Sequence, residues 1–141
     1  TKGLLENEIL FKEQFFRANS LIKSLLTLYL YLEYLEQEIG IKAEIEHIFP
    51  QKFRAEYKGW DKDEAKPFIE SIGNKMWLEK KLNIQASNDY FDNKKEKYAT
   101  SKFLEAQELA KYPKSDWLKE DIEKRKEKIY TRLKNFFREN L

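Results

Sequence analysis

The stretch that decides the fold begins with Glu46-His47-Ile48-Phe49-Pro50-Gln51. His47 is the sole histidine of the 141 residues, and it directly follows a carboxylate. Apolar and charged side chains alternate from Ile41 to Glu46, which predicts a short half-buried strand. Pro50 has no amide donor for a strand ladder, so it ends that strand. The sequence therefore places an acid beside an imidazole where a strand ends.

Three asparagines follow at defined distances from this stretch. Gly73-Asn74 is a turn signal and precedes a second predicted strand, Lys75 to Glu79. Asn83 comes nine residues after Asn74, and Asn88 lies five residues further on. The segment from Asn83 to Asn88 is predicted to be a loop or a helix entry. Ser87 or Asn88 is then expected to cap a helix that runs through Tyr98.

Helices are predicted on both sides of this region. Residues 1–38 are predicted to be helical, with a break and cap at Asn19-Ser20. The second leading helix, about Leu21 to Glu38, is apolar on most sides, although alternating tyrosines and leucines leave a strand as the alternative. Gly40 is expected to end it. Residues 51–71 are predicted to be an irregular loop with a helical turn around Asp61 to Glu70.

The last third is predicted to be two helices. The first contains Phe103, Leu104 and Leu109 and ends at Tyr112-Pro113, because the residue before a proline avoids the helical conformation. The second is capped by Ser115 or Asp116 and carries one apolar stripe.

Composition limits the class of protein. The chain has no cysteine, which excludes disulfides and thiolate zinc sites and is compatible with a cytoplasmic location. No apolar run approaches the roughly 20 residues that a membrane helix needs. Net charge is −3 over residues 1–74 and +5 over residues 75–141. The second half therefore offers a modest basic surface for a phosphate backbone. Because the chain begins with Thr1, we expect it to be a piece of a longer protein.

The order of strand, histidine, loop, asparagine, strand and second asparagine resembles the HNH, or His-Me finger, endonuclease motif. Within that superfamily the chain is most similar to the C-terminal domain of GmrSD-type restriction endonucleases. The residues that carry the resemblance are Glu46-His47-Ile48-Phe49-Pro50-Gln51, Ile72-Gly73-Asn74, Leu82-Asn83, Ser87-Asn88, Phe91, Lys94, Tyr98, Trp117, Ile122 and Arg125.

This resemblance implies an α+β, mostly helical fold. A ββα-metal finger at residues 40–98 would lie between leading helices at 1–39 and C-terminal helices at 99–141, all in one domain.

The resemblance also implies a role for each site residue. His47 would be the general base, Asn74 would orient it, and Glu46 and Asn83 would bind Mg²⁺ or Mn²⁺, with Asn88 as a rival for the second ligand. These side chains would have to converge on one ion, which requires the strand to bend, because adjacent strand residues point to opposite faces. Backbone phosphates of DNA would be contacted by lysines, namely Lys75, Lys80, Lys81 and Lys94.

The function implied is a metal-dependent DNA endonuclease domain without an organic cofactor, from a modification-dependent restriction or phage-defence protein. Its partners would be double-stranded DNA and an N-terminal nucleotide-binding domain of the same protein, with no membrane. The alternative is a catalytically inactive HNH-like helical module that binds DNA or protein. A structural RNA-binding domain is disfavoured, because no aromatic and basic sheet motif is visible.

Overall fold

The computed structural model describes residues 19–37 and 42–140. Within these ranges the chain is α+β and mostly helical, as predicted, with six α-helices and one two-stranded sheet. In chain order the elements are α1 (Asn19–Glu33), β1 (Ala43–His47), α2 (Lys62–Ile69), β2 (Lys75–Glu79), α3 (Lys80–Ala86), α4 (Phe91–Tyr98), α5 (Leu104–Ala110) and α6 (Lys119–Asn140).

The two strands form an antiparallel pair. The register places Ala43 opposite Glu79 and His47 opposite Lys75. Both strands lie where the alternating pattern predicted them, and β2 has the predicted bounds. A short 3₁₀ turn, Ile72–Asn74, leads directly into β2. The sheet therefore brings the end of β1 against the turn that precedes β2.

Helix α1 confirms the helical prediction for the leucine- and tyrosine-rich segment and excludes the strand alternative. It ends at Glu33, five residues before the predicted end at Glu38. Four of its buried side chains, Ile22, Leu25, Leu26 and Tyr29, pack in one cluster with apolar residues of α6, whereas Leu30 belongs to the other core cluster. Asn19 and Ser20, predicted as a break, are helical in backbone. The other predicted leading helix and Gly40 lie outside the described residues.

The region between the strands contains the predicted helical turn. Helix α2 begins after Asp61, whose Oδ1 accepts a hydrogen bond from the backbone N of Glu64 at 2.9 Å, as expected of an N-cap residue. A second 3₁₀ turn, Tyr57–Gly59, precedes it.

The segment from Asn83 to Asn88, predicted to be a loop or a helix entry, is helical as far as Ala86 and a turn at Ser87 and Asn88. Asn83 lies inside α3, which begins directly after β2. Ser87 follows α3 in a positive-φ conformation (φ 46°), and α4 begins after Tyr90 without a side-chain cap. Ser87 and Asn88 are therefore not the cap of α4. Because Asn83 is helical, its side chain is held in a fixed direction from the end of the sheet.

Helix α5 lies where it was predicted, although it begins after Phe103 and ends at Ala110, before the Tyr112-Pro113 step. Helix α6 begins later than expected. Neither Ser115 nor Asp116 caps α6, which begins at Lys119. Instead the carboxylate of Asp121 reaches back and accepts from the backbone N of Leu118 at 3.0 Å. This is the acidic half of a capping box, in which a side chain in the first turn satisfies a free amide.

The turn before β2 is packed tightly against α6. A Cβ added to Gly73 would lie 2.1 Å from the carbonyl oxygen of Ile122, so no larger residue fits there. Arg125 of α6 donates to the carbonyl oxygens of Ile72 and Lys75 at 2.9 and 2.7 Å, and to Glu105 of α5 at 2.8 Å. The last long helix thus fixes the turn that carries Asn74.

No helix in residues 19–37 and 42–140 is long and apolar enough to cross a membrane.

Candidate active site

Asn74 links the segment that follows β1 to the end of α2. Its Oδ1 accepts from the backbone N of Phe49 at 2.7 Å, and its Nδ2 donates to the carbonyl oxygens of Phe49 and Ile69 at 3.0 Å each. Its own carbonyl accepts from the backbone N of Ile48 at 2.9 Å. The side chain is fully buried, so these bonds satisfy its amide completely.

This arrangement qualifies the predicted role of Asn74. Its hydrogen-bond partners are backbone groups, and the imidazole is not among them. Asn74 fixes the two residues that directly follow His47, so it orients the histidine through the backbone.

Glu46 lies at the centre of a buried polar network. Its side chain is only 2% exposed. Oε1 accepts from Asn83 Nδ2 at 2.9 Å, and Oε2 accepts from the hydroxyl of Tyr98 at 2.5 Å. Lys94 Nζ lies 3.1 Å from Oε2 and also donates to the carbonyl oxygen of His47 at 2.7 Å. The carboxylate therefore has three donors, one of them a buried ammonium.

His47 has a different partner. Its Nε2 lies 3.3 Å from each carboxylate oxygen of Glu70, the residue that follows α2. The imidazole is 19% exposed and Glu70 is 38% exposed, so this pair lies at the surface. Gln51 Nε2 and Lys75 Nζ approach Glu70 Oε1 at 3.4 and 4.0 Å.

The environments shift the pKa values of these groups in ways that matter for chemistry. Burial lowers the pKa of His47 below its usual 6.5, although Glu70 opposes this shift. Neutral imidazole is therefore the main form near pH 7, as a general base requires. Burial raises the pKa of the Glu46 carboxyl, against the opposing effects of Lys94, Tyr98 and Asn83.

The predicted convergence of His47, Glu46 and Asn83 is not observed. Glu46 and Asn83 meet, whereas the imidazole contacts Glu70. The physical reason is that β1 stays regularly paired as far as His47, so its last two side chains leave on opposite faces. The expected strand bend at Glu46-His47 is absent.

The donor types at Glu46 and Asn83 suit a hard divalent cation, because a carboxylate and an amide both offer oxygen ligands. The amide presents its nitrogen to Glu46, so a cation would require the amide to turn and present Oδ1. A cation would also have to replace the Lys94 ammonium. Across the described ranges, no group of three or more His, Cys, Asp or Glu side chains is arranged to hold a metal.

The rival ligand Asn88 is placed apart from this pair. It is exposed, and its Oδ1 accepts from the backbone N of Lys52 at 3.3 Å. Between the two asparagines, only Asn83 contacts the Glu46 carboxylate.

The four predicted DNA-binding lysines fall into three environments. Lys94 is buried and paired with Glu46, so its prediction as a phosphate contact is wrong: its ammonium is not at the surface. Lys75 is largely buried and lies near Glu70. Lys80 and Lys81 are exposed at the start of α3.

Sequence patterns missed Glu70 as a partner of His47. It lies 23 residues from the histidine and belongs to no motif. The end of a predicted helix just before Gly73-Asn74 was the only signal near it. Tyr98 was part of the resemblance, but its bond to Glu46 required the packing of α4 against the sheet.

The family described as GmrSD restriction endonucleases, C-terminal domain, matches residues 6–132 of the chain. This range includes both strands, the Asn74 turn and most of α6. No curated protein and no solved structure matches the chain. Because the match covers most of the sequence, the chain belongs to the family of GmrSD restriction endonuclease C-terminal domains.

Proposed function

We propose that this chain is a metal-dependent, HNH-type DNA endonuclease domain that hydrolyses phosphodiester bonds. The protein containing it would be a modification-dependent restriction or phage-defence protein. The observation that carries the proposal is the 2.9 Å contact between Glu46 and Asn83, 37 residues apart in sequence, beside the only histidine. The family membership supports the nuclease class.

His47 would act as the general base. Its imidazole is partly exposed at the end of β1 and favours the neutral form, so it is suited to take a proton from water. The water oxygen would bond to phosphorus as the bond to the leaving oxygen breaks, and the leaving oxygen would take a proton from solvent. Asn74 would keep the backbone after His47 in place during this step.

Glu46 and Asn83 would hold Mg²⁺ or Mn²⁺. When bound, such an ion stabilises negative charge on the phosphate and on the leaving oxygen. Lys80 and Lys81, exposed at the start of α3, would contact backbone phosphates of double-stranded DNA. An N-terminal nucleotide-binding domain of the same protein would control cleavage, as the resemblance implies.

The test is nicking of supercoiled plasmid with Mg²⁺ or Mn²⁺ by the wild type and by His47→Ala. We expect cleavage by the wild type and loss of cleavage by the variant. Gln85→Ala, an exposed substitution on α3, serves as the control and should retain activity. Cleavage that survives His47→Ala would overturn the mechanism.

A second function is favoured by one observation. Lys94 already neutralises the Glu46 carboxylate from inside the fold, so the network is complete with protein groups alone. This favours a catalytically inactive HNH-like module that binds DNA or protein. It predicts no binding of Mn²⁺ in calorimetry and no metal-dependent nicking by the wild type.

A further inference from the structure

The contact between His47 and Glu70 indicates which ring nitrogen of the imidazole can accept a proton. Nε2 faces both oxygens of the carboxylate at 3.3 Å. An ionised carboxylate only accepts hydrogen bonds, so Nε2 must be the protonated nitrogen. In neutral imidazole the other nitrogen is then unprotonated and able to accept a proton. No hydrogen-bond partner for Nδ1 is present in the described part of the chain.

We propose that Glu70 is a positioning residue that holds His47 in the Nε2–H tautomer, so that Nδ1 takes the proton from water. This inference rests on the proposed function, in which His47 is the base. Nδ1 accepts one proton from the attacking water, the water oxygen bonds to phosphorus as the bond from phosphorus to the leaving oxygen breaks, and the leaving oxygen takes a proton from solvent. Glu70 itself neither gains nor loses a proton.

The backbone supports this role because one side chain ties both partners together. Asn74 Nδ2 donates to the carbonyl of Ile69, the residue before Glu70, and to the carbonyl of Phe49, two residues after His47. The backbone N of Glu70 also donates to the carbonyl of Lys66 at 3.1 Å and ends α2. The two segments are therefore fixed relative to each other even though the pair lies at the surface.

Two neighbours direct the carboxylate of Glu70 towards the imidazole. Gln51 Nε2 lies 3.4 Å from Oε1, and Lys75 Nζ lies 4.0 Å from the same atom. The two separations of 3.3 Å between His47 Nε2 and the Glu70 oxygens are long for a charge-assisted hydrogen bond. Such bonds shorten when substrate binds.

The sole histidine makes a direct test possible, because ¹⁵N-labelled protein gives ring-nitrogen signals from His47 alone. In the neutral wild type we expect one tautomer, with unprotonated Nδ1 and a slowly exchanging Nε2 proton. Glu70→Ala should give a mixture of tautomers and fast exchange. Glu70→Gln should be intermediate, because its amide can still accept through oxygen. Glu64→Ala, an exposed substitution on α2, the helix that precedes Glu70, should match the wild type.

Kinetics provide the second measurement. Glu70→Ala should lower kcat for nicking about 10- to 100-fold, as loss of a carboxylate partner does for other functional histidines. KM should change little, since Glu70 does not contact DNA in this scheme. The unfolding midpoint should stay unchanged, because Glu70 is 38% exposed.

An unchanged tautomer and exchange rate in Glu70→Ala would overturn the inference. That outcome differs from failure of the proposed function, which would appear as full activity of His47→Ala whatever the tautomer.

Discussion

Glu46 and His47 are neighbours in sequence, yet they belong to two different parts of the molecule. The Glu46 side is sealed: its carboxylate meets a buried lysine, a tyrosine and an asparagine. The His47 side is open to solvent, and its partner is a surface carboxylate. Two adjacent residues therefore take part in a buried polar network and in a partly exposed pair, respectively.

The difference teaches how the end of one strand can serve two environments. Groups that hold the fold together through hydrogen bonds to other protein groups can be buried, as Glu46 is here. A general base, the role proposed for His47, needs access to water, and the imidazole is partly exposed. Substitutions on the two sides are thus expected to affect different measurements.

The largest expected effect is the loss of DNA nicking when His47 is replaced. His47→Ala should lower nicking about 100- to 10,000-fold, the usual contribution of a general base. Its free energy of unfolding should stay close to wild type, because the imidazole is partly exposed and its partner, Glu70, lies at the surface. Plasmid nicking and urea unfolding on the same preparation test this separation. A variant that loses stability along with activity would contradict it.

The next largest effect is on the free energy of unfolding when Glu46 or Lys94 is replaced. Lys94→Met leaves the Glu46 carboxylate buried without its cation, so we expect a loss of about 3–5 kcal/mol. Glu46→Gln should show a similar loss for the converse reason. The double variant Glu46→Gln with Lys94→Met should lose less than the sum of the single variants. Additive losses in urea unfolding would show that the two side chains act independently.

A smaller effect distinguishes the two asparagines. If Glu46 and Asn83 hold the ion as proposed, Asn83→Ala should weaken Mn²⁺ binding at least about tenfold in calorimetry, because it removes the amide whose Oδ1 would bind the ion after the side chain turns. Asn88→Ala, its matched control, should bind as the wild type does, because Asn88 contacts the backbone of Lys52 instead. The reverse result would assign the ligand to Asn88.

The smallest effect concerns the buried carboxylate of Asp121, at the start of α6. Burial alone would raise the pKa of Asp121, but bonds from Leu118 N, Tyr112 and Lys114 outweigh it and lower the pKa. A lowered pKa means that Asp121 stabilises the fold above its unfolded pKa, about 3.8, and that this stability is lost as pH falls through the folded pKa.

Asp121→Asn should therefore cost about 1 kcal/mol at pH 7 and nearly nothing at very low pH. Urea unfolding at both pH values measures this. Glu120→Gln, the exposed neighbouring substitution, should show no such dependence.

Local patterns predicted much of the fold. The alternation before Pro50 gave β1, Gly73-Asn74 gave the turn, and the bounds of β2 were correct. The N-caps of α4 and α6 were less predictable. Ser87 and Asp116 have side chains that can cap a helix, but each lies too far before the first residue of its helix. Asn83 was predicted to lie in a loop or a helix entry, because asparagine is common in both. Helix α3 forms there because the chain continues directly from the paired strand.

The site was harder to predict, because side-chain directions depend on the tertiary fold. The spacing of the motif correctly predicted that Glu46 and Asn83 lie close together, but it could not show to which face of the strand each side chain points. Lys94 has no feature in sequence that separates a surface lysine from a buried one. Its position follows from α4 packing over the sheet, which also places Tyr98 against Glu46.

The close approach of Gly73 to Ile122 makes the turn before β2 depend on the final helix. A fragment cut after Tyr98 would lose Arg125 and the surface that supports the Asn74 turn. Transfer of the two strands and the Asn74 turn to another protein would therefore require transfer of the final helix as well.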